Sequence, residues 1–259
     1  MKPASLSEQT DRNASNAIGK VCAIFRTLSS SAPLRLNEIS ERTDLNRVTA
    51  LRILDELVAH RFVARAGTPP RYSLGPEAIA MAAASSGTQD VRTTARPSLV
   101  RLASASDDTV LLSVRSGVES ICIDRIVGTF PIQATYLHVG SRRWLGVGAG
   151  SMALLAWLPG TERESILDVV SQRLQNYPRI DRSVLSAHIE GALEHGYVKM
   201  LDIVVDRIGG IGYPIRNREG EVIAAISIAA LTERIVEREA QLVDVLRREV
   251  NTIQAAVNN

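Results

Sequence analysis

The chain has 259 residues, enough for two domains, with 22% charged and 45% apolar residues. That composition belongs to an ordinary soluble globular protein and excludes a disordered or fibrous one. The net charge of +2 is too small to mark a nucleic-acid binder, but it is unevenly placed: residues 1–75 carry eleven basic and seven acidic side chains, residues 76–259 nineteen and twenty-one. A basic first part joined to a slightly acidic remainder fits a DNA-reading segment attached to something else, although a solvated basic face gives the same asymmetry.

Residues 1–14 are polar, lack periodicity and have no signal-peptide core, so they are expected to be disordered in a cytoplasmic protein. Ile18, Val21, Cys22, Phe25 and Leu28 then form a helical stripe that stops in the Ser-rich stretch before Pro33. Residues 37–65 hold two short amphipathic segments. The first has Ile39 as its apolar anchor and Asn37 placed to cap it. The break is Thr43-Asp44-Leu45-Asn46. In the second segment Val48, Leu51, Leu54, Leu57 and Val58 mark an apolar face, Asn46 is the N-cap, and Arg47, Thr49, Ala50 and Arg52 face the other way. A helix with short polar residues at its start, two arginines and an apolar back is what a helix-turn-helix presents to the major groove. A three-helix packing module gives the same pattern. Two extended pieces around a Gly/Pro turn follow, from Ala64 to Gly75, which makes the module a winged one, with Arg65 and Arg71 suited to phosphates.

The alanine-rich segment 76–86 predicts a connecting helix, broken at Ser85-Ser86-Gly87, and a further helix is expected from Asp90 to Ser106 with Val91, Leu99, Leu102 and Ala103 inward. A β-hairpin is read at residues 109–126 around Ser116-Gly117, and another short strand at 136–139. The stretch GVGAGS at 146–151 opens an apolar helix stopped by Pro159-Gly160. It lacks the third glycine of a dinucleotide fingerprint and the Gly-Lys of a phosphate-binding loop, so no cofactor is expected. It is either a packing loop or a helix N-terminus open to an anion such as a carboxylate. Amphipathic helices at 163–174 and 182–195 precede three strands, 197–204, 208–215 and 222–229, and a final helix from Thr232 to Ala256. If the segment that holds them is extended, Asp202 and Asp206 share a face, either as edge-strand solubility or as paired carboxylates. The second domain therefore reads as α+β with a largely antiparallel sheet.

The chemistry-bearing residues add little. Cys22 and Cys122 sit in apolar patterns and read as buried thiols, the cysteines and four histidines show no zinc-ligand spacing, and no nucleophile elbow occurs. His188 and His195 lie seven apart on one helix, and Arg142-Arg143-Trp144 is a weak base-stacking signal. The longest apolar run, 222–231, is interrupted by Ser227 and falls well short of the ~20 residues of a membrane span.

Taken together, LNRVTALRILDELVAHRFV, YSLG, GVGAGSMALLAWLP, EHGYV and GYPIRNREGEVIAAISIAA resemble, in order and spacing, the IclR family of bacterial transcription regulators from Ser15 onward. The resemblance implies a winged helix-turn-helix at 15–75, a linker helix at 76–89 and a GAF-like effector domain at 90–259. It also implies homodimers or homotetramers, a pseudo-palindromic double-stranded DNA operator, and a small organic acid as effector. It places DNA contacts at Asn46, Arg47, Val48, Thr49 and Arg52. In the effector pocket, Gly148 and Ala149 match the pair that meets a carboxylate and Ser227 a polar pocket residue. Ala229 stands where a second serine is common, Gly210 where Cys or Ser is, and Asp202 in the acidic segment. The lost polarity at Ala229 and Gly210 points away from a small hydrophilic acid such as glyoxylate and toward a less polar, aromatic one. The competing expectation is an enzyme acting on a small carboxylic acid at the Gly148 loop.

Overall fold

The computed structural model describes residues 16–31, 33–84, 88–134 and 136–258; the segment expected to be disordered, 1–14, and the break at Ser85-Ser86-Gly87 lie outside them. The chain divides after Ser86 into two compact units.

The first unit packs helices α1 (Ala17–Ser31), α2 (Leu36–Thr43) and α3 (Arg47–Ala59) with a hairpin of β1 (Val63–Ala66) and β2 (Arg71–Leu74), and ends in α4 (Pro76–Ala84). Its core is Ile24, Leu28, Leu34, Ile39, Leu54, Leu57, Val63 and Tyr72. Leu34 joins the hairpin through a backbone exchange with Tyr72, at 3.0 and 2.7 Å. The cap of α2 differs from the expected one. The helix begins one residue before Asn37, and the Glu38 carboxylate accepts from the amide of Arg35 at 2.7 Å. The turn after α2 is made by Asp44 in the left-handed conformation (φ 53°), a place that short polar side chains tolerate. The α3 cap is as read: Asn46 Oδ1 accepts from the amide of Thr49 at 2.9 Å.

Both predicted stripes are rotated from their true faces. On α1 Ile24 is buried, while Ile18 is 75% exposed and Cys22 is exposed rather than buried. On α3 the buried face is Ala50, Leu54 and Leu57, whereas Val48 is 80% exposed. The physical reason is phase: Ala50, Leu54 and Leu57 repeat at spacings of four and three and face the core, and Val48 and Leu51 fall outside that stripe. Helix α4 has no buried residue.

The second unit is a six-stranded antiparallel sheet in the order β5-β4-β3-β8-β7-β6. Its elements are α5 (Thr88–Ser106), β3 (Thr109–Ser116), β4 (Glu119–Ile126), β5 (Arg142–Trp144), α6 (Ala149–Ala156), α7 (Gly160–Ser171), α8 (Arg182–His195), β6 (Val198–Leu201), β7 (Ile208–Arg216), β8 (Val222–Leu231), α9 (Thr232–Glu237) and α10 (Glu239–Val257). Strict alternation decides the layers. Val110, Leu112 and Val114 of β3 and Ala224, Ile226, Ile228 and Ala230 of β8 face α5 and α10. Leu111, Ser113, Ser227 and Ala229 point the other way. Helices α6, α7 and α8 build a second core on that side. Helix α6 sits so close to β7 that a Cβ on Gly212 would lie 2.5 Å from the Ala149 carbonyl oxygen. Two buried carboxylates fasten the layers: Asp108 takes Arg234 and Arg238 at 3.0 and 3.3 Å, and Asp124 takes Arg96 on both oxygens at 2.8 Å and Arg92 at 3.7 Å.

Three sequence expectations change here. Strand β6 stops at Leu201, and 202–205 bend away instead of extending it. Residues 136–139 form no strand; the edge strand is β5, a few residues later. The last helix is two, divided at Arg238. No helix among the described residues is long and apolar enough to cross a membrane, and no group of His, Cys, Asp and Glu among them could hold a metal ion.

Candidate functional site

Two places collect the predicted residues. The first is the outward start of α3. Arg47, Val48 and Arg52 are exposed and Thr49 is half-buried, all within the first two turns after the Asn46 cap. The Asn46 side chain satisfies one amide of the first turn, and the exposed side chains stand beside it. On the hairpin, Arg65 lies over the Tyr72 ring at 5.9 Å and 3.6 Å from Asp55, while Arg71 donates to the Pro33 carbonyl at 3.1 Å. Both wing arginines remain exposed, held at the hairpin without being buried.

The second place is a cavity between the sheet and the start of α6, with about 620 Å³ of non-atom space counting its open mouth. Its interior is narrow. Gly148, Ala149, Gly210, Ser227 and Ala229 all line it, so five of the six expected pocket residues come together. Asp202 does not line the cavity. It sits in the bend after β6 with φ 60°, its carboxylate accepts from Thr232 Oγ1 at 2.7 Å, and its carbonyl accepts from Arg179 at 2.6 Å. Asp206 pairs with the same arginine. These aspartates are therefore not a pair on one strand face; they fasten a loop.

Gly148 is the N-cap of α6 with φ +94°, a conformation reserved almost wholly for glycine, and no side chain caps the first-turn amides. Ser227 lies directly over that turn: a Cβ on Gly150 would fall 2.9 Å from its hydroxyl oxygen. Ser113, paired in register with Ala225 on β8, is 3.7 Å from the same point. Ser113 and Ser227 are 8% and 4% exposed, and neither hydroxyl has a hydrogen-bond partner among the described residues. Ser151, by contrast, donates to the Trp144 carbonyl at 3.0 Å. Gly210 is also a contact glycine, because a Cβ there would meet the Ala149 Cβ at 3.1 Å. Its lack of a polar group therefore follows from the closeness of α6.

Sequence reasoning missed much of the wall. Leu111, Cys122, Tyr136, Leu137, Arg143 and Ile208 also line the cavity. The arginine was legible only as part of an isolated basic pair, because nothing local marks 142–144 as a strand. Its guanidinium carbon lies 4.7 Å from the Tyr136 ring centroid, and a Cβ on Gly148 would come 3.3 Å from its Nη1. Burial pushes the Tyr136 phenol above its ordinary value, and the Arg143 charge pulls it partly back. Burial likewise pushes the Cys122 thiol up to about 12, so it is a neutral, unreactive group at physiological pH. Among the described residues lining the cavity there is no Asp, Glu, His or Lys. A serine there has no base to activate it. The walls can hold a ligand: backbone and hydroxyl donors at the α6 end, apolar contacts from Leu111, Leu137, Ile208 and Ala229 elsewhere.

Comparison with known proteins agrees over both units. Residues 17–67 match the model of the IclR helix-turn-helix domain, and residues 83–255 that of the bacterial transcriptional regulator IclR C-terminal domain. The HTH-type transcriptional regulator KipR of Bacillus subtilis is 27% identical over 229 residues, 87% of this chain and 90% of that protein. The HTH-type transcriptional repressor AllR of Escherichia coli is 27% identical over 254 residues, 95% of this chain and 93% of that one. In fold, the chain aligns with the crystal structure of an IclR homolog from Microbacterium hydrocarbonoxydans complexed with 4-hydroxybenzoate, at a TM-score of 0.76 and 24% identity over 92% of this chain and 97% of that one. It aligns similarly with a transcriptional regulator from Alicyclobacillus acidocaldarius, at 0.74 and 22% over 96% and 99%.

Proposed function

The chain belongs to the IclR family of bacterial transcriptional regulators, and from that premise we propose that it reads a duplex operator with the start of α3 and adjusts that reading when an organic acid enters the cavity at α6. The observation that carries the first half is the outer face of the first two turns of α3, where Arg47, Val48 and Arg52 stand exposed after the Asn46 cap. Arginine presents a planar fork that matches phosphate oxygens or the acceptor edge of guanine. Ile79 and Met81 on α4, 68% and 64% exposed, offer an apolar surface suited to a second copy of the chain. Two copies would present two α3 helices, so the operator is a pseudo-palindrome.

The cavity supports the second half. Uncapped first-turn amides and the helix dipole favour an anion, two cavity-lining hydroxyls without partners among the described residues can donate to it, and much of the remaining wall is apolar. That combination fits the carboxylate and body of an organic acid, including an aromatic one; the relative from Microbacterium hydrocarbonoxydans carries 4-hydroxybenzoate. The narrow interior requires rim side chains to give way around a ring, so entry of the acid favours one arrangement of the wall over another, which is the requirement for a ligand to bias DNA binding. The competing enzyme reading has no support from the aspartates or the cysteine.

The test is selection from a random duplex library followed by gel-shift titration. The selected site is expected to be pseudo-palindromic, with affinity falling steeply as salt rises. Failure to enrich any site would remove the DNA-reading half. For the cavity, calorimetry with 4-hydroxybenzoate should show affinity reduced in Ser227→Ala, whereas unchanged affinity would take Ser227 out of the site.

A further inference from the structure

We infer that Arg143 is the charge reader of the cavity, restricting it to monocarboxylates with an uncharged body. The inference rests on the proposed effector role of this cavity. Arg143 is the sole charged side chain among the described residues lining it. No carboxylate among the described residues pairs with it: its neighbour Arg142 takes Glu119 at 2.9 Å, but Arg143 is stored against the face of Tyr136. A ring face compensates a guanidinium only in part, and a carboxylate does so far better. Its Nη1 lies beside Gly148, so the guanidinium and the uncapped amides of α6 converge on one spot. The hydroxyls of Ser113 and Ser227, which have no partner among the described residues, line the cavity beside the first turn of the same helix. One anion placed there would meet all of these donors together.

The rest of the wall sets the remainder of the ligand. With no acidic side chain lining the cavity, an ammonium has no partner, which disfavours amino acids. With no second basic side chain, a second carboxylate would face Leu111, Leu137, Ile208 and Ala229. The ligand therefore carries a single negative charge at the α6 end. Tyr136 acts as the resting place of the guanidinium and supplies a phenol at the same rim.

The experiment uses the full-length chain and three probes of nearly one shape: benzoate, the uncharged benzamide, and terephthalate with its second carboxylate. Calorimetry on the unmodified chain should favour benzoate over both others by at least tenfold. In Arg143→Gln the benzoate-to-benzamide ratio should collapse to within about threefold of unity, with benzamide affinity unchanged. A residue that only shapes the wall would move both affinities together. Arg143→Lys keeps the charge but loses the fork, so it should retain part of the preference; it also serves if the glutamine variant fails to fold. An undiminished ratio in a folded Arg143→Gln, or in Arg143→Lys where glutamine fails to fold together with a lysine ratio equal to the unmodified one, overturns the assignment while leaving the cavity as a binding site. If none of the three probes, nor 4-hydroxybenzoate, binds the unmodified chain at millimolar concentration, the acid-binding reading falls and this inference falls with it.

Discussion

Helices α3 and α6 both begin at the place where their unit is expected to act, yet they begin in opposite ways. The chain caps α3 itself, through Asn46 and the Thr49 amide, and leaves its leading side chains in solvent. Helix α6 starts on a glycine with no side-chain cap, and all eight of its residues are buried. A helix whose cap occupies a first-turn amide and whose leading side chains stand in solvent suits a partner that comes to it. An uncapped, buried helix offers the donors themselves, which suits a small partner that must come inside. On the proposed reading, one chain uses the same local element for a surface reader and for an internal receptor, and the two helix starts differ in their caps.

The sharpest way to break that contrast is at α3. Replacing Arg47 and Arg52 together by alanine should weaken binding to the selected operator by roughly 30-fold or more, taking about 1–3 kcal/mol for each bidentate contact. The thermal transition and the affinity for 4-hydroxybenzoate should stay where they were, because both side chains are exposed. Operator affinity that survives the double change would show that α3 is not the reader, whatever its cap.

A second measurement separates the helix's two faces. Leu54 is fully buried, so Leu54→Ala should cost about 2–5 kcal/mol in denaturant unfolding. Val48→Ala, at 80% exposure, should stay within about 0.5 kcal/mol. By periodicity alone the two belong to one apolar face. A similar cost for both would mean that the first turn of α3 is covered.

The same pair shows why the sequence was legible only in part. Elements with strong local signals were read closely: the Asn46 cap and the hairpin of β3 and β4. Burial depends on what lies opposite, and no period reveals that. Val48 and Cys22 were misassigned for this reason. The cavity is harder still, because its wall is gathered from β3, β4, β5, α6, β7, β8 and the loops between them. Gly148 and Ala149 announced themselves through a glycine-rich string. Arg143 did not, since a three-residue edge strand has no pattern and its meaning comes from Tyr136 and Gly148, which meet it only in the folded unit. Asp202 failed in the other direction: its apparent alternation with Asp206 belongs to a bend fastened by Arg179 and Thr232.

The seating of α6 can be tested without touching a donor. Gly212→Ala would press a methyl against the Ala149 carbonyl at 2.5 Å, backbone on both sides, and should destabilise the second unit by about 1–3 kcal/mol. Gly191 lies in α8 with open space around its Cα, so Gly191→Ala should be neutral or stabilising by up to about 1 kcal/mol. Equal behaviour of the two glycines would imply that α6 can lift off β7, and the uncapped helix start would then be free to find solvent.

The smallest effect concerns pH. Burial lowers the pKa of His188 on α8, so the folded second unit favours the neutral ring. At a pH above the ordinary imidazole value the ring is neutral in both states and its titration costs nothing. As pH falls through that value the unfolded chain takes up a proton before the folded one does, and stability must drop. The expected result is a thermal midpoint for the second unit that falls between pH 7 and 5, with a shallower fall in His188→Gln. Comparing each variant with the unmodified chain cancels the other titrating groups, including His195 nearby on the same helix. A slope that His188→Gln leaves unaltered would mean that the ring reaches solvent freely, and that the packing of α8 behind α6 is looser than the buried start of that helix requires.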